Sequence, residues 1–428
     1  MKNIPEIQFL ENLSDFGIKL GLDKTNFLLE KFKNPHFNYP SILIAGTNGK
    51  GSVAKTLSEI LKEAGYKTGL YISPHLVDIR ERISINGQLI EEEDFKSEIR
   101  EFKKVLEKMP FHMYPTFFEA ITVIAFKYFS DKKIDILVCE VGLGGKYDAT
   151  NVLPSFMEII TKIGIEHTKY LGNTYREIAG EKAGIIKNRT TVICAKQKKE
   201  AEQVIKSVGK KKKAKIYFYG KDFFSMRRQK CLEGQIFNFY GKEDLKNLKT
   251  SFIGKYQIEN VSLAIQSSLI MKERGFKIEK QDIYKGVENV KWDGRFQILK
   301  KKPLIILDGA HNPDGVNSLL RTIKDIFPDR KFSFLVAILR NKDYLEMVRK
   351  ISKFAEEIVF TKLETERCIE PEKLLSILRE KKKAKIFSNV KESMNYIEKT
   401  KRDWVICGSL YLVGEIFSLK EREKCQKN

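Results

Sequence analysis

The chain has 428 residues, 42% hydrophobic and 31% charged, and its 78 Lys and Arg outweigh 56 Asp and Glu to give a formal net charge of +22. That length supports two or three domains with sizeable cores, at about 150 residues each. No stretch approaches the roughly 20 apolar residues of a membrane span, and the opening Met1-Lys-Asn-Ile-Pro-Glu-Ile-Gln has no apolar signal core, so no membrane partner and a cytoplasmic location are expected.

The six cysteines are scattered without a Cys-x-x-Cys pair, and the five histidines have no ligand spacing. Reduced, buried cysteines are expected rather than a disulfide frame or a structural zinc. Lysines dominate the charge, in runs such as Lys210–Lys213, Lys300–Lys302 and Lys381–Lys383. One reading is a nucleic-acid surface, another a solvated face, and a third an attraction for polyanionic substrates. No recognisable nucleic-acid module accompanies the charge, so no nucleic-acid partner is expected.

Residues 5–33 read as helical. Ile7, Phe9, Leu10, Leu13 and Phe16 form one apolar stripe, and Phe27, Leu28, Leu29 and Phe32 another, with a turn at Leu20-Gly-Leu-Asp-Lys-Thr25. Ser41-Ile-Leu-Ile-Ala45 reads as a buried strand, followed by the glycine-rich Gly46-Thr-Asn-Gly-Lys-Gly-Ser52 and a helix from Val53. A strand, a glycine turn and a helix N-terminus in this order make an anion site, because the first-turn N–H groups have no helical partner and the dipole favours negative charge. Lys50 adds a positive charge, and Ser52 or Thr47 offers a hydroxyl for Mg²⁺. The full phosphate-loop pattern is not met: Ile44 stands where a glycine is usual, and Gly51 follows the lysine in place of a hydroxyl.

A second strand, 68–73, runs into Pro74 and His75, and Arg80–Gly87 reads as a polar loop. Glu91–Met109 is expected as an exposed helix, and Thr116–Phe126, apolar nearly all round, as a buried one. A third strand, Ile134–Glu140, ends in a carboxylate, and another, 159–164, precedes Ile165-Glu-His167. Thr174-Tyr-Arg-Glu177 is a capping box opening a helix through Lys187. Strands at 190–194 and 214–219 flank a helix near 199–208, residues 222–253 suggest hairpins, and Gln257–Arg274 is a helix. The pattern resets around Trp292-Asp-Gly-Arg295. Beyond it five short strands, at 303–308, 331–337, 356–361, 384–388 and 403–407, alternate with helices, which predicts a separate parallel α/β domain.

In open parallel sheets ligands sit at the carboxyl ends of the strands. The phosphate loop, Ser73, Glu140 and His167 all fall there, and together with phosphate oxygens they suit Mg²⁺ on ATP. Ile178, Lys182 and Ile185 share a helical stripe, so Lys182 faces inward. A buried lysine prefers to be neutral, and a neutral amine reacts with CO₂ to give a carbamate; the alternative is a lysine that snorkels to water. Asp308 and His311 lie at a strand end, where Asp308 either serves a ligand or caps the next helix.

Gly46-Thr-Asn-Gly-Lys-Gly-Ser52, Ser73-Pro-His75, Glu140-Val-Gly-Leu-Gly-Gly145 with Asp148-Ala-Thr-Asn151, Glu181-Lys-Ala-Gly184, Asp308-Gly-Ala-His-Asn-Pro313 and Gly408-Ser-Leu-Tyr411 occur in that order. Together they resemble the folylpolyglutamate synthase/dihydrofolate synthase branch of the Mur ligase superfamily. The resemblance implies an α/β fold with an N-terminal phosphate-loop ATPase domain on a mostly parallel sheet, residues 1–296, and a C-terminal Rossmann-like domain, 297–428. It implies a monomeric ligase that uses ATP and Mg²⁺ to join L-glutamate to a folate or dihydropteroate through an acyl phosphate.

By the same resemblance, Thr47, Asn48, Gly49, Lys50, Gly51 and Ser52 hold the ATP phosphates, and Asn260, Arg295 and Asp308 complete the nucleotide site. Ser52, Ser73, Glu140 and His167 serve the metal, and Lys182 is the modified lysine. Asp23, Lys24, Thr25, Thr116, Phe117, Phe118, Glu119 and Tyr147 lie on the pterin side, with His311 and Ser409 on the glutamate side. Lys50, Lys182, His311 and Asp308 are the expected catalytic groups. Asp293, where the family usually has proline, and Tyr256, where histidine is common, depart from its pattern. Two other readings remain: a sister ligase with a different acid, and an NTPase stimulated by nucleic acid.

Overall fold

The computed structural model describes residues 4–17, 21–380 and 383–427. Leu20 of the expected turn, and Lys381 and Lys382 of the third lysine run, lie outside the described residues. The chain divides into two compact units. One comprises Met1–Met226, Phe237–Lys249 and Glu259–Val290, and the other Arg227–Ile236, Thr250–Ile258 and Lys291–Asn428.

The first unit is built on an eight-stranded sheet of β1 (Ser41–Ala45), β2 (Thr68–Tyr71), β3 (Ile83–Ile85), β4 (Gln88–Leu89), β5 (Ile136–Glu140), β6 (Met157–Ile160), β7 (Thr191–Cys194) and β8 (Lys215–Phe218). Their order is β4-β3-β2-β5-β1-β6-β7-β8. The run from β2 to β8 is parallel, and β3 and β4 add an antiparallel edge. Every residue of β1, β5, β6 and β7 is buried, which is why these strands read as continuous apolar runs. Ile44 pairs with Glu140 and Ala45 with Ile160, so the turns after β1, β5 and β6 leave the sheet at one level.

Three expectations are corrected by the fold. The polar stretch after Arg80 is not all loop: Ile83–Ile85 pairs with β2 on one side and with the edge strand β4 on the other, its isoleucines supplying the apolar alternation. The helix expected to reach Lys187 is Tyr175–Ala183. It ends where Gly184 packs against Lys146, where a Cβ on the glycine would strike the lysine side chain. Glu92–Leu106, expected as an exposed helix, buries Phe95, Ile99, Phe102 and Leu106 and is amphipathic. The hairpin region contains β9 (Phe224–Cys231), β10 (Gly234–Tyr240) and β11 (Leu245–Thr250), which form a three-stranded sheet.

The second unit carries β12 (Gln297–Lys301), β13 (Leu304–Leu307), β14 (Phe332–Val336), β15 (Ala355–Thr361), β16 (Ala384–Phe387) and β17 (Trp404–Cys407) in the order β12-β13-β17-β14-β15-β16. The five expected strands are parallel, and β12 adds an antiparallel edge that its lysines concealed. Phe332, Phe334, Val336, Val405 and Cys407 lie at the centre of its core. Among the described residues no helix is long and apolar enough to cross a membrane. Cys139, Cys194 and Cys407 are fully buried free thiols.

Candidate active site

The loop after β1 is fixed by its own backbone. Gly46 sits at φ +149, and its carbonyl oxygen accepts a 2.8 Å hydrogen bond from Lys182 Nζ. The N–H groups of Thr47 and Asn48 both donate to Lys162 O, at 3.0 and 3.2 Å. Thr47 Oγ1 donates to Gly164 O at 3.1 Å and accepts from Gly164 N at 3.0 Å. The sequence offered either Thr47 or Ser52 as a metal hydroxyl. The Thr47 hydroxyl closes this clip, and Ser52 is the one placed on the first turn of the helix Lys50–Glu63.

Gly49 caps that helix at φ +97, and a Cβ there would strike the Asn260 amide, so glycine is needed for the close approach. Val53 N takes up Gly49 O at 3.0 Å. The N–H groups of Lys50, Gly51 and Ser52 precede it, on the turn that has no helical acceptors and attracts anions. Lys50 Nζ lies 3.4 Å from Thr47 O and 3.7 Å from Glu140 Oε1.

Glu140 is 5% exposed, and its Oε2 accepts from Ser73 N at 3.4 Å. The structure therefore joins Lys50, Glu140 and Ser73 across three strand ends. His167 adopts a left-handed φ of +54, a strain of about 1–3 kcal/mol for a non-glycine residue. Its Nε2 is 3.9 Å from Glu166 Oε1. A small cleft is lined by Thr47, Lys50, Gly142, Glu166, His167 and Lys182, among others.

Lys182 is 4% exposed, and its head group is used on Gly46 O inside the cleft, which rules out the snorkelling alternative. Burial pushes its pKa down to about 7, the Lys50 charge adds to this, and Glu166, Asp148 and Glu181 oppose it.

The expected pterin-side residues form a second group beside this cleft. Lys24 Nζ donates to Tyr114 O, and Gly21 N to Tyr147 O, which draws the helix Asp23–Lys31 toward Tyr147 and the Thr116 turn. Phe118 packs so closely over Gly142 that a Cβ on the glycine would strike its ring. Thr116 and Glu119 are engaged with each other: Thr116 N and Oγ1 donate to Glu119 Oε2 at 2.7 and 2.8 Å, and Glu119 N to Thr116 Oγ1 at 3.3 Å. They are the capping box of the helix Phe117–Asp131. Tyr147 is 41% exposed, and Thr25 is fully buried.

In the second unit, Asp308 is buried at the end of β13. Its Oδ2 accepts Phe296 N and its Oδ1 Ala310 N, both at 2.8 Å. Burial raises its pKa, against the nearby Arg295 charge and these N–H groups. It does not cap the next helix; Asn312 does, accepting Gly315 N at 2.8 Å. His311 Nδ1 is 2.8 Å from Gly309 O. Ser409 is 1% exposed and accepts Tyr411 N at 3.0 Å.

Residues 44–268 match the Mur ligase middle domain, and 294–409 the Mur ligase glutamate ligase domain. Dihydrofolate synthase/folylpolyglutamate synthase of Bacillus subtilis is 33% identical over 415 residues, 94% of this chain and 95% of that protein. The chain belongs to the folylpolyglutamate synthase/dihydrofolate synthase family of Mur ligases. Its fold is also that of the Thermotoga maritima folylpolyglutamate synthase crystal structure, with TM-score 0.86, 35% identity, and 97% and 96% of the two chains covered. The Mycobacterium tuberculosis folylpolyglutamate synthase structure complexed with ADP and AMPPCP matches with TM-score 0.90 at 28% identity, covering 97% and 98%.

For a Mur ligase of this family the donor set suits Mg²⁺. Among the described residues no three His, Cys, Asp or Glu side chains converge on one point, so the protein alone forms no metal cage. Mg²⁺ does not need one: it is held by one or two carboxylates with phosphate oxygens and water. Glu140 beside Ser73 and Lys50 provides that half-set. Two site residues escaped the sequence reading. Glu166 lines the cleft beside His167, and its place in Ile165-Glu-His167 at a strand end was the available signal. Thr161, whose Oγ1 stands against Gly46, left none, because contact across neighbouring strands has no local pattern.

Proposed function

We propose that this protein is an ATP-dependent ligase that joins the amine of L-glutamate to a carboxylate of a folate or dihydropteroate, releasing ADP and phosphate. The observation that carries this reading is the convergence of Lys50, at the N-terminus of the helix Lys50–Glu63, with Lys182, Glu166 and His167 on one cleft at the carboxyl ends of β1, β5 and β6.

A carboxylate oxygen of the acid attacks the γ-phosphorus, and the bond to the ADP oxygen breaks. The neutral amine of glutamate then attacks the acyl carbon, phosphate leaves with its C–O bond, and the amine gives up a proton. Lys50 and the loop amides stabilise the transferring phosphoryl group. Ser52, Ser73, Glu140 and His167 would hold Mg²⁺, which supplies charge neutralisation on the phosphates. Thr47, Asn48, Gly49, Gly51, Asn260, Arg295 and Asp308 belong to the nucleotide side. Asp23, Lys24, Thr25, the 116–119 turn and Tyr147 belong to the pterin side, and His311 and Ser409 to the glutamate side. Lys182 reacts in its neutral form: its nitrogen bonds the carbon of CO₂ and loses a proton, leaving a carbamate. A monomer working in the cytoplasm goes with this reading, and the free buried thiols support the reducing compartment.

The test is ADP release with dihydropteroate and with tetrahydrofolate, each with and without glutamate. Turnover that needs both acid and glutamate is expected, and Lys50→Ala should lower it about 10²–10³-fold, as for loss of one preorganised donor. ADP release that ignores folate and rises with RNA or DNA would favour the NTPase reading instead.

A further inference from the structure

Four strand ends of the second unit are drawn together by backbone bonds. Gly408 N, after β17, donates to Ala310 O, after β13, at 2.9 Å. The same glycine, at φ +110, packs on Ala337 O after β14, where a Cβ would come within 2.6 Å. Arg340 N donates to Arg367 O at 2.8 Å and Ile369 N to Ile338 O at 2.9 Å, which ties the segment after β15 to that after β14. Arg340 Nε adds a bond to Cys368 O at 3.0 Å, and Cys368 is 1% exposed. The backbone that carries Arg367 is thus fixed on both sides.

The Arg367 side chain is held as well. Its Nη1 donates to Tyr411 Oη at 3.1 Å, and its guanidinium carbon lies 5.6 Å from the Tyr411 ring centre. Tyr411 N is in turn bonded to Ser409 Oγ. Neighbouring cations are spent on carboxylates: Arg340 reaches Glu370 at 3.6 Å and Lys362 reaches it at 3.0 Å. Among the described residues no carboxylate lies within 4.0 Å of Arg367, whose partner is a neutral phenol. A guanidinium has five donors in a planar fork that matches a carboxylate, and the phenol accepts only one of them.

We propose that Arg367, steadied by Tyr411, binds a carboxylate of the incoming amino acid and is a specificity-determining residue of the second unit. The inference rests on the ligase reading above. The amino acid reacts through its amine, so its carboxylates need a fixed partner of opposite charge. The carboxyl ends of a parallel sheet are where such a partner is placed. An amino acid or analogue lacking that carboxylate leaves the guanidinium unpaired and is rejected.

The experiment compares wild type with Arg367→Gln, Arg367→Lys and Tyr411→Phe. Arg367→Gln should raise the KM for L-glutamate about 10- to 100-fold, as for loss of a charge-assisted pair. The KM values for ATP and folate, and the thermal midpoint, should stay unchanged. Arg367→Lys, which keeps the charge without the fork, and Tyr411→Phe should fall between. A separate readout is oxygen-isotope scrambling in γ-labelled ATP with folate alone, which reports acyl phosphate formation without glutamate and should be unaffected in all three. An unchanged glutamate KM in Arg367→Gln overturns the inference, as does scrambling that falls in step with it. Wild type that shows no folate-dependent scrambling overturns the ligase reading itself.

Discussion

Gly46→Ala is the sharpest single test of how the phosphate loop is built. Two costs add. At φ +149 a side chain is in a region nearly restricted to glycine, about 1–3 kcal/mol. The new Cβ also strikes Thr161 Oγ1 and comes within 2.9 Å of Thr161 Cβ and 3.1 Å of Thr161 N. Thr161 is fully buried at the end of β6, so it cannot swing away, and overpacking of this kind costs about 1–3 kcal/mol. The sum is about 2–6 kcal/mol, enough to displace the loop and with it the Gly46 O that Lys182 holds. Urea unfolding and ADP release should both report the loss. Thr161→Ala removes the nearest atom, an oxygen with no hydrogen-bond partner, and leaves Cβ in place. In the double variant about 1 kcal/mol should return, and no more, because the φ cost stays. A Gly46→Ala protein within about 0.5 kcal/mol of wild type would refute both the collision and the backbone argument.

Three further outcomes are expected. Lys182 prefers neutrality in the fold, so its effect on stability rises with pH from about 7 to its ordinary 10.5, and its amine becomes reactive as pH passes about 7. With ¹³C-bicarbonate, a carbamate NMR signal absent from Lys182→Met should grow through that pH, and its absence throughout would remove the carbamate. Glu158, fully buried between Ser155 Oγ and Thr190 Oγ1, is pushed up to about 7 by burial. The folded state keeps a proton that the unfolded state releases, so this group takes stability away as pH rises from about 4.5 through 7. Urea midpoints of wild type and Glu158→Gln at low and high pH should diverge in favour of the variant at high pH; parallel curves would contradict the burial argument. Asn312→Ala removes the cap of Pro313–Ile326 and should cost the second unit about 1 kcal/mol, measured by denaturant unfolding.

Much of this architecture was legible where a single physical demand acts on a local run. Strands buried on both faces must be apolar throughout, so β1, β5, β14 and β17 stood out. Short strands set in polar sequence carry no such run, so Ile83–Ile85, between β2 and β4, and the lysine-bearing edge strand Gln297–Lys301 were hidden. Chemistry at strand ends was legible because topology forces ligands there, and Ser73, Glu140 and Lys50 do converge. What one side chain does with its oxygens was not. Thr116 and Glu119, expected on the pterin side, are also the capping box of a helix, and Asp308, expected at the nucleotide site with a helix cap as the alternative, holds the Phe296 and Ala310 N–H groups and does not cap. Arg367 could not be singled out, because its distinction lies in the carboxylates that its neighbours consume.

The reciprocal bonds between Thr47 and Gly164 join segments 117 positions apart in sequence. With Lys162 O accepting the Thr47 and Asn48 amides, the phosphate loop and the stretch leading to His167 become one mechanical part. A displacement of the phosphate loop would therefore have to carry Lys162 to Gly164 with it or break all four of these hydrogen bonds.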